Sequence, residues 1–380
     1  MATNGHTSEA VRSPIINLGS EEALPVTVAE LTAEWFTKTL GHKVKSAQIV
    51  KEIHGTASKI LVELQYDGDD AAATPPTKLC VKGGFNPTVM KLYPPLVACF
   101  RLEVFFYAHI APKVPMRLPQ VYYTGTDTVN GQGLFIMQDM TAMGATYGST
   151  LEPWRPERVR AGVKQLALLH AHGWGTTDAN VASRFPWYEA SSFRAVLESM
   201  WAPEHWQGRY FSDACPPVHE ELKDRARVVA AFHTLWRTSD ARLQTMCHGD
   251  PHLNNTYMTA DGRPGFIDWQ GMHPNSALHD VVYFITGAME VEDRRKHERE
   301  LLGAYLGDLA EAGGPRFAVD DVWDEFRRQQ LHGFVWSLTP PTMQPREVVD
   351  TFSARHAAAI KDHGSLELIE AHPDHKPLEE

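Results

Sequence analysis

Cysteine is scarce in this sequence, and its few cysteines are widely spaced. The chain of 380 residues has 4 of them, at positions 80, 99, 215 and 247, and no two form a Cys-x-x-Cys pair. This spacing argues against a zinc site or a disulfide framework. We therefore expect reduced thiols that are buried as small apolar side chains.

Long hydrophobic runs and an excess of positive charge are missing too. No uninterrupted apolar run approaches the roughly 18 residues of a membrane-spanning helix, and the first 20 residues lack the apolar core of a signal peptide. The 36 lysine and arginine residues are outnumbered by 47 aspartate and glutamate residues, which gives a formal net charge of -11. This balance disfavours an extended basic surface for nucleic acid or anionic membranes. We predict a cytoplasmic globular protein with neither as its partner.

The sequence does contain an ordered set of acids and amides between residues 247 and 283. A His-Gly-Asp triplet ends at Asp250, Asn255 follows five residues later, and an Ile-Asp-Trp triplet is centred on Asp268. A transferring γ-phosphoryl group passes through a loose transition state, so the protein supplies position and charge. One carboxylate must orient the acceptor hydroxyl and take its proton, while a carboxylate and an amide oxygen suit magnesium. The order predicts Asp250 as the catalytic base, with Asn255 and Asp268 as magnesium ligands.

The local pattern predicts a hairpin that brings these side chains together. Residues 255–258 and 265–267 are compatible with its two strands, and a turn-forming stretch joins them. Asp250 and Asn255 then bracket the loop, and Asp268 ends the returning strand, so all three can face one cleft. A single aspartate in a turn more often bonds its own backbone. The functional interpretation therefore depends on the whole ordered set.

This ordered set resembles the aminoglycoside phosphotransferase and choline kinase superfamily. The chain after Asp268 is most similar to the branch of ecdysteroid-kinase-like small-molecule kinases. That similarity rests on Gln270, Gly271, Pro274, Leu278, Asp280 and the apolar run at 281–285. The resemblance implies an α+β, two-lobed protein-kinase-like fold, with a small β-rich N-lobe and a larger, mainly helical C-lobe. It also implies ATP and Mg2+ as cofactors, and a structural Asp280 that braces the catalytic loop.

The resemblance assigns nucleotide binding to the first part of the chain. Lys82 ends a strand-like segment and Glu103 lies on the next helical one; in kinases such a lysine contacts the α- and β-phosphates and is held by the glutamate. A lysine that reaches solvent and a glutamate on a solvated helix face stay open as alternatives. The turn at 53–58, with Gly55 and Ser58, stands where kinases cover the phosphates with backbone N–H groups. A plain hairpin turn would have the same composition.

The resemblance also divides the chain into lobes. Gln138 and Met140 follow the strand-like residues 134–137, where it implies a hinge whose backbone bonds the adenine edge. A plain strand end would look the same. The expected organisation is a flexible tail at 1–20, a nucleotide-binding N-lobe at 21–137, a catalytic and acceptor-binding C-lobe at 138–365 and a tail at 366–380.

Aromatic residues are concentrated between residues 184 and 242. In the superfamily this region helps to build the acceptor pocket, which makes Trp201, Trp206 and Tyr210 candidate substrate residues; Trp336 is added by analogy. Rings at helical spacing more often belong to a core, so core packing stays the alternative. The abundance of rings favours an apolar or aromatic acceptor over a polycationic sugar, which would need clustered carboxylates.

The sequence thus predicts an enzyme, a kinase that transfers the γ-phosphoryl group of ATP to a hydroxyl of a small molecule. Two other outcomes of the same site stay open: phosphorylation that leads to elimination, and nucleotide binding for regulation without turnover. A protein kinase is disfavoured because the loops lack the His-Arg-Asp and Asp-Phe-Gly triplets. GTP in place of ATP, the acceptor and the oligomeric state stay open as well.

Overall fold

The computed structural model describes residues 13–67, 75–86, 91, 96–190, 193–340 and 343–378. The chain falls into two units, one of residues 1–112 and 118–144 and the other of residues 113–117 and 145–380. The first unit is rich in β-strands and the second is mainly helical, which is the predicted α+β fold. The sequence placed the boundary after residue 137, whereas the first unit continues to residue 144.

The N-terminal unit is built on a six-stranded sheet in the order β1-β5-β6-β4-β3-β2. β1 lies parallel to β5, and the other neighbours are antiparallel. The elements are β1 Ile15–Ser20, α1 Ala33–Leu40, β2 Val44–Ile53, β3 Ser58–Tyr66, β4 Lys78–Gly83, α2 Leu96–Phe105, β5 Val121–Asp127 and β6 Gly133–Gln138.

Alternation along β3 builds the core of this unit. Ile60, Val62 and Leu64 are buried because side chains two residues apart point to the same face of a strand. They pack in one cluster with Phe36 of α1. The neighbouring β4 is buried from its second residue onward, which carries Lys82 into the interior.

Residues 15–20 were expected in the flexible tail but form β1, at the edge of the sheet. Their backbone pairs with β5, and the Asn17 side chain donates a hydrogen bond to the Tyr123 hydroxyl at 3.0 Å. Ile15 and Ile16 stay 45% and 50% exposed. The segment therefore has no apolar face that the sequence could reveal, and its backbone ladder is what holds it.

The C-terminal unit combines short strands with most of the helices. β10, β9 and β7 form one small sheet, and β11 pairs with β8 in another. Its strands are β7 Thr146–Tyr147, β8 Gln244–Cys247, β9 Thr256–Met258, β10 Pro264–Phe266 and β11 His273–Ser276. Its helices are α3 Pro156–Gly173, α4 Val181–Arg184, α5 Phe193–Met200, α6 Pro203–Tyr210, α7 Arg225–Thr238, α8 Ala277–Ala288, α9 Val291–Glu311, α10 Val319–Gln329, α11 Val335–Leu338, α12 Arg346–His363 and α13 Ser365–Glu370.

The antiparallel pairing of β9 with β10 confirms the predicted hairpin after the Asp250 loop. The pairing of β8 with β11 was not predicted, because the two strands are separated by that hairpin. Together the two ladders place both ends of the loop on hydrogen-bonded backbone.

The second predicted tail, residues 366–380, begins with a helix. α13 buries Leu366 and Ile369 in the large core cluster of this unit. Two apolar residues three positions apart are too short a pattern to predict a helix from sequence. The predicted tail residues 1–12, 379 and 380 lie outside the described part of the chain.

Within the residues that the structure describes, no helix is both long enough and apolar enough to span a membrane.

Candidate active site

The loop that carries Asp250 is held by the buried carboxylate of Asp280. Its oxygens accept hydrogen bonds from the backbone N–H groups of His248 and Gly249, at 2.6 and 3.0 Å, and the Nε2 atom of His170 lies 3.0 Å away. Burial raises the pKa of Asp280, but the His170 hydrogen bond and nearby imidazoles lower it more, so the pKa lies well below its usual range. The structural brace predicted for Asp280 is confirmed.

Cys247 completes a buried cluster with His170 and Asp280. Their possible ligand atoms lie within 4.8 Å of one another, close enough to hold a metal ion. All three have protein partners, however, since the His170 Nδ1 atom lies 2.8 Å from the Tyr305 hydroxyl and the Cys247 thiol lies 3.3 Å from the Ser276 carbonyl oxygen. Burial raises the pKa of the thiol well above its usual value, which keeps its proton on. The cluster therefore stabilises the Asp250 loop as a hydrogen-bonded core.

Gly249 is required by the path of this loop. Its φ is 87°, and a Cβ atom here would overlap the carbonyl oxygen of Gly271 and lie 2.8 Å from the His273 Nδ1 atom. We expect Gly249→Ala to lower the free energy of unfolding by about 3 kcal/mol, from left-handed backbone and overpacking together. Gly262→Ala is the matched control, because φ is 70° there and nothing lies within 4 Å; it should lose about 1 kcal/mol. Equal losses in urea unfolding would contradict the steric argument.

The Asp250 carboxylate is about a third exposed, at 32%, and is held on both oxygens. The Tyr283 hydroxyl donates to Oδ1 at 3.0 Å, the His252 Nε2 atom lies 3.4 Å from Oδ2, and the Asn255 amide donates to the Asp250 carbonyl oxygen at 2.9 Å. Burial raises the pKa of Asp250, but His252 and the Tyr283 hydroxyl lower it more, and the net pKa is lowered. The carboxylate is therefore ionised at neutral pH and able to accept a proton from a hydroxyl.

Asn255 and Asp268 flank the hairpin, one just before its first strand and one just after its second. The backbone N–H of Ile267 donates to the Asn255 carbonyl oxygen at 2.9 Å, directly before Asp268. The Asn255 amide nitrogen donates to Asp250, so the amide oxygen is the atom that the predicted metal would use. An amide oxygen and a carboxylate are the hard oxygen ligands that Mg2+ takes, so the donor set fits the predicted metal.

Asp268 has an unusual backbone conformation. With φ 72° and ψ 70°, it is the one non-glycine residue of positive φ among those that the structure describes. A left-handed conformation costs about 1–2 kcal/mol for a residue with a Cβ atom, and such strain concentrates at functional sites. Here it turns the chain from β10 into the next turn and sets the direction of the carboxylate.

Tyr283 is a partner of Asp250 that the sequence analysis missed. Its ring is stacked on His356 and contacts His332, with centroids 5.3 and 5.1 Å away. Burial, and then the Asp250 charge, raise the pKa of Tyr283 well above its usual value, so the hydroxyl remains a donor. Little in the sequence points to this contact, because Tyr283 is 33 residues from Asp250. The only local indication is that Tyr283 lies one helical turn after His279, on the same face of its helix.

Loss of the Tyr283 hydroxyl should change the acidity of Asp250. Because that hydrogen bond lowers the pKa of Asp250, Tyr283→Phe should raise it, and the acid limb of the pH–rate profile should move to higher pH. We expect a loss of about three- to tenfold in kcat at neutral pH. Tyr305→Phe is the control, since Tyr305 contacts His170 in the brace and should leave the limb in place. An unshifted limb in Tyr283→Phe would refute this role.

In the N-terminal unit, Lys82 and Glu103 form a buried ion pair. The Lys82 Nζ atom lies 2.9 and 2.6 Å from the two carboxylate oxygens, and the side chains are only 4% and 2% exposed. This confirms the predicted pairing and excludes the solvated alternatives. The predicted contact of Lys82 with nucleotide phosphates stays a prediction.

The predicted nucleotide-binding turn and the predicted hinge lie in the same unit, as a hairpin turn and a strand end. Gly55 lies in the turn between β2 and β3, and the buried Ser58 hydroxyl is 3.0 Å from the His54 Nδ1 atom. Gln138 ends β6, and its backbone N–H already donates to another backbone oxygen at 3.0 Å. Met140 is buried. The nucleotide roles of these residues stay predictions.

One buried core cluster contains all four aromatic candidates, Trp201, Trp206, Tyr210 and Trp336. In this cluster the Trp206 indole donates to a carbonyl oxygen at 2.8 Å, and the Tyr210 hydroxyl lies 2.5 Å from the Ser337 hydroxyl. This is the core role that the sequence left open. The Trp336 ring also lies 5.1 Å from that of His252, a partner of Asp250.

One protein family and several solved structures are similar to this chain. The sequence profile of the ecdysteroid kinase-like family matches residues 57–313. No curated protein matches. Among solved structures, the chain is similar to a putative aminoglycoside phosphotransferase from Ralstonia eutropha, with 11% identity and a TM-score of 0.48 over 87% of this chain and 97% of that one.

It is also similar to choline kinase LicA from Streptococcus pneumoniae, with 15% identity and a TM-score of 0.46 over 87% of this chain and 97% of that one. For an ethanolamine kinase from Plasmodium vivax the identity is 14% and the TM-score 0.47, over 83% of each chain. The family profile spans more than half of the chain, so this protein belongs to the ecdysteroid kinase-like family, as the residues after Asp268 predicted.

Proposed function

We propose that the protein is a cytoplasmic kinase that transfers the γ-phosphoryl group of ATP, with Mg2+, to a hydroxyl of a small molecule. The observation that carries this proposal is the hairpin that joins Asn255, which donates to the Asp250 carbonyl oxygen at 2.9 Å, to the chain that leads into Asp268. Phosphoryl transfer needs position and charge rather than a covalent nucleophile. A braced loop with one proton acceptor and two oxygen ligands supplies both.

The proposal gives separate roles to Asp250, to the two residues that flank the hairpin and to Tyr283. Asp250 orients the oxygen of the acceptor hydroxyl and takes its proton. Asn255 and Asp268 hold Mg2+, which when bound neutralises charge on the phosphate oxygens. Tyr283 fixes the Asp250 carboxylate through the 3.0 Å hydrogen bond.

In the N-terminal unit, the proposal gives nucleotide binding to the predicted residues. Lys82 neutralises the phosphates and is held in place by Glu103. The turn with Gly55 and Ser58 offers backbone N–H groups to the phosphates. The residues after β6, Gln138 and Met140, adjoin the adenine.

The surroundings of Asp250 favour an apolar or aromatic acceptor. Its partners Tyr283 and His252 carry aromatic rings, and Trp336 packs on His252. The neighbouring His356 and His332 are uncharged at neutral pH, because burial lowers the pKa of His356 to about 3 and that of His332 well below its usual value. Neutral rings suit an uncharged alcohol better than a polycationic sugar.

A buried ion pair allows the nucleotide role to be separated from stability. Lys82→Met should lower the free energy of unfolding by about 3 kcal/mol, because it leaves the Glu103 carboxylate buried without its lysine. Lys82→Met with Glu103→Leu should recover most of that loss, and neither variant should transfer phosphate. Urea unfolding and initial rates measure the two effects. A double variant with wild-type activity would exclude Lys82 from catalysis.

The proposal is tested by mass spectrometry of a metabolite extract incubated with the purified protein, ATP and Mg2+, beside an Asp268→Ala control. A metabolite that gains one phosphoryl group only with the wild-type protein would support the proposal and identify the acceptor. A metabolite that loses water would instead indicate phosphorylation followed by elimination. Nucleotide binding with no changed metabolite would favour a regulator without turnover.

A further inference from the structure

The C-terminal unit contains a cavity that the phosphoryl-transfer residues do not line. Its volume is about 580 Å³, within the range of sites for drug-sized ligands. The wall comes from the segment before α5, from α5, the end of α7, β11, α8 and the turn at 330–334. Residues that the argument uses are Tyr188, Arg194, Trp236, Arg237, His279 and His332.

One group of lining residues consists of histidines that pack on one another. The His279 and His332 rings lie 3.8 Å apart, and His273 is 5.4 Å from His279. Burial, followed by the neighbouring imidazole, lowers the pKa of His279 to about 4 and that of His332 well below its usual value. A neutral imidazole carries one donor and one acceptor. The uncharged His279 and His332 rings therefore suit an uncharged part of a ligand.

A second group of lining residues carries positive charge on Arg194 and Arg237. The Arg194 guanidinium lies 4.1 Å from the centre of the Trp236 ring and pairs only loosely with Glu198, at 4.0 Å. Arg237 donates to the backbone oxygen of Asp374. Among the described residues that line the cavity, two are arginines and one, Asp178, is acidic. An anionic group fits here better than a cationic one.

The cavity lies next to the Asp250 loop but is not the acceptor site. The His279 Nε2 atom is 3.5 Å from the Gly249 carbonyl oxygen, and His332 packs on Tyr283. An acceptor hydroxyl must come within about 3 Å of the catalytic base, and Asp250 is absent from the described residues that line the cavity.

We propose that this cavity is a second small-molecule site, which takes a ring-bearing organic acid with its anionic group at Arg194 and Arg237. The uncharged part of the ligand lies against His279 and His332, and apolar wall residues cover its ring. The lining contains none of the residues proposed as base, metal ligands or nucleotide contacts, and it shares only His332 with the surroundings described for the acceptor.

The test uses the full-length protein without nucleotide and three probes that share one ring system. Isothermal titration calorimetry compares 2-naphthoate, the uncharged 2-naphthamide and the cationic 2-naphthylmethylammonium ion. We expect saturable binding of naphthoate that is about fivefold tighter than that of naphthamide, with the cation weakest, as two partly exposed guanidiniums allow. Tightest binding of the cation, equal binding of all three probes, or no saturable binding at millimolar concentration would overturn the proposal.

Variants locate the binding. Arg194→Gln with Arg237→Gln should reduce naphthoate binding to that of naphthamide, and Ala190→Trp should fill the cavity and abolish both. Arg299→Gln is the matched control, because Arg299 lies 4.7 Å over the ring of Trp323, outside the cavity. Thermal unfolding checks that each variant is folded. Unchanged naphthoate binding in the cavity variants would place the site elsewhere and refute the proposal, whatever the outcome of the kinase assay.

Discussion

Asp268→Ala is expected to abolish phosphoryl transfer while the protein stays folded. The variant removes the carboxylate that holds Mg2+ in the proposed site, and with it the charge that a transferring phosphoryl group requires. We expect initial rates to fall by at least about 10²-fold, the loss seen when one stabilising group is removed from a charged transition state. The measurement is the rate as a function of Mg2+ concentration, because a lost metal ligand raises the concentration required.

Two further variants separate the charge of Asp268 from its backbone. Asp268→Asn keeps a side chain that tolerates the left-handed conformation, so a loss of activity in this variant reports on the carboxylate alone. Asp261→Asn removes another carboxylate from the same hairpin, one that pairs with Arg117 and Arg263. The metal assignment would be wrong if Asp261→Asn lost as much activity as Asp268→Asn. It would also be wrong if Asp268→Asn needed no more Mg2+ than the wild-type protein for half of its maximal rate.

The hairpin could be predicted from the sequence because its signals are local. Asn255 and Asp268 are 13 residues apart, within two short β-compatible runs and one turn. A hairpin fixes such residues through its register, and β9 and β10 pair as expected. The left-handed backbone of Asp268 could not be predicted, because aspartate adopts a positive φ only occasionally, whereas glycine adopts it routinely.

The partners of the Asp250 loop lie too far away in sequence to be predicted. His170 reaches Asp280 across 110 residues, and His332 and His356 approach Tyr283 from other helices. Asp280 itself was predicted through the family resemblance, but no periodicity connects these histidines with it. Their positions depend on helix packing, which brings together faces that no short sequence window contains.

The two segments predicted as tails show that sequence patterns also miss short elements of the fold. β1 is held through its backbone and keeps Ile15 and Ile16 half exposed, and α13 depends on two buried side chains. Hydrophobic periodicity identifies elements with a long buried face. Elements at an edge or an end of a unit present too little of such a face.

The environment of Asp250 explains how a carboxylate in a largely aromatic region remains charged. Burial alone would favour the protonated acid. The Tyr283 hydroxyl and His252 reverse that preference, while the Asp280 brace keeps the loop backbone in place. The same arrangement leaves Oδ2 facing Asn255, at 3.4 Å, so the base and the proposed metal ligand are positioned by one contact.

Asp250→Asn is expected to keep the fold and nucleotide binding while turnover is lost. Asparagine has the shape of aspartate and can still accept from the Tyr283 hydroxyl, but it cannot take a proton from an acceptor. We expect kcat to fall by about 10²- to 10⁴-fold, the range of general-base catalysis, with the dissociation constant of the Mg2+ nucleotide unchanged. Tyr283→Phe should fall between the wild-type protein and this variant, because it only repositions the base. Full turnover by Asp250→Asn would exclude Asp250 as the base, whereas loss of nucleotide binding would show that the residue acts on the metal site instead.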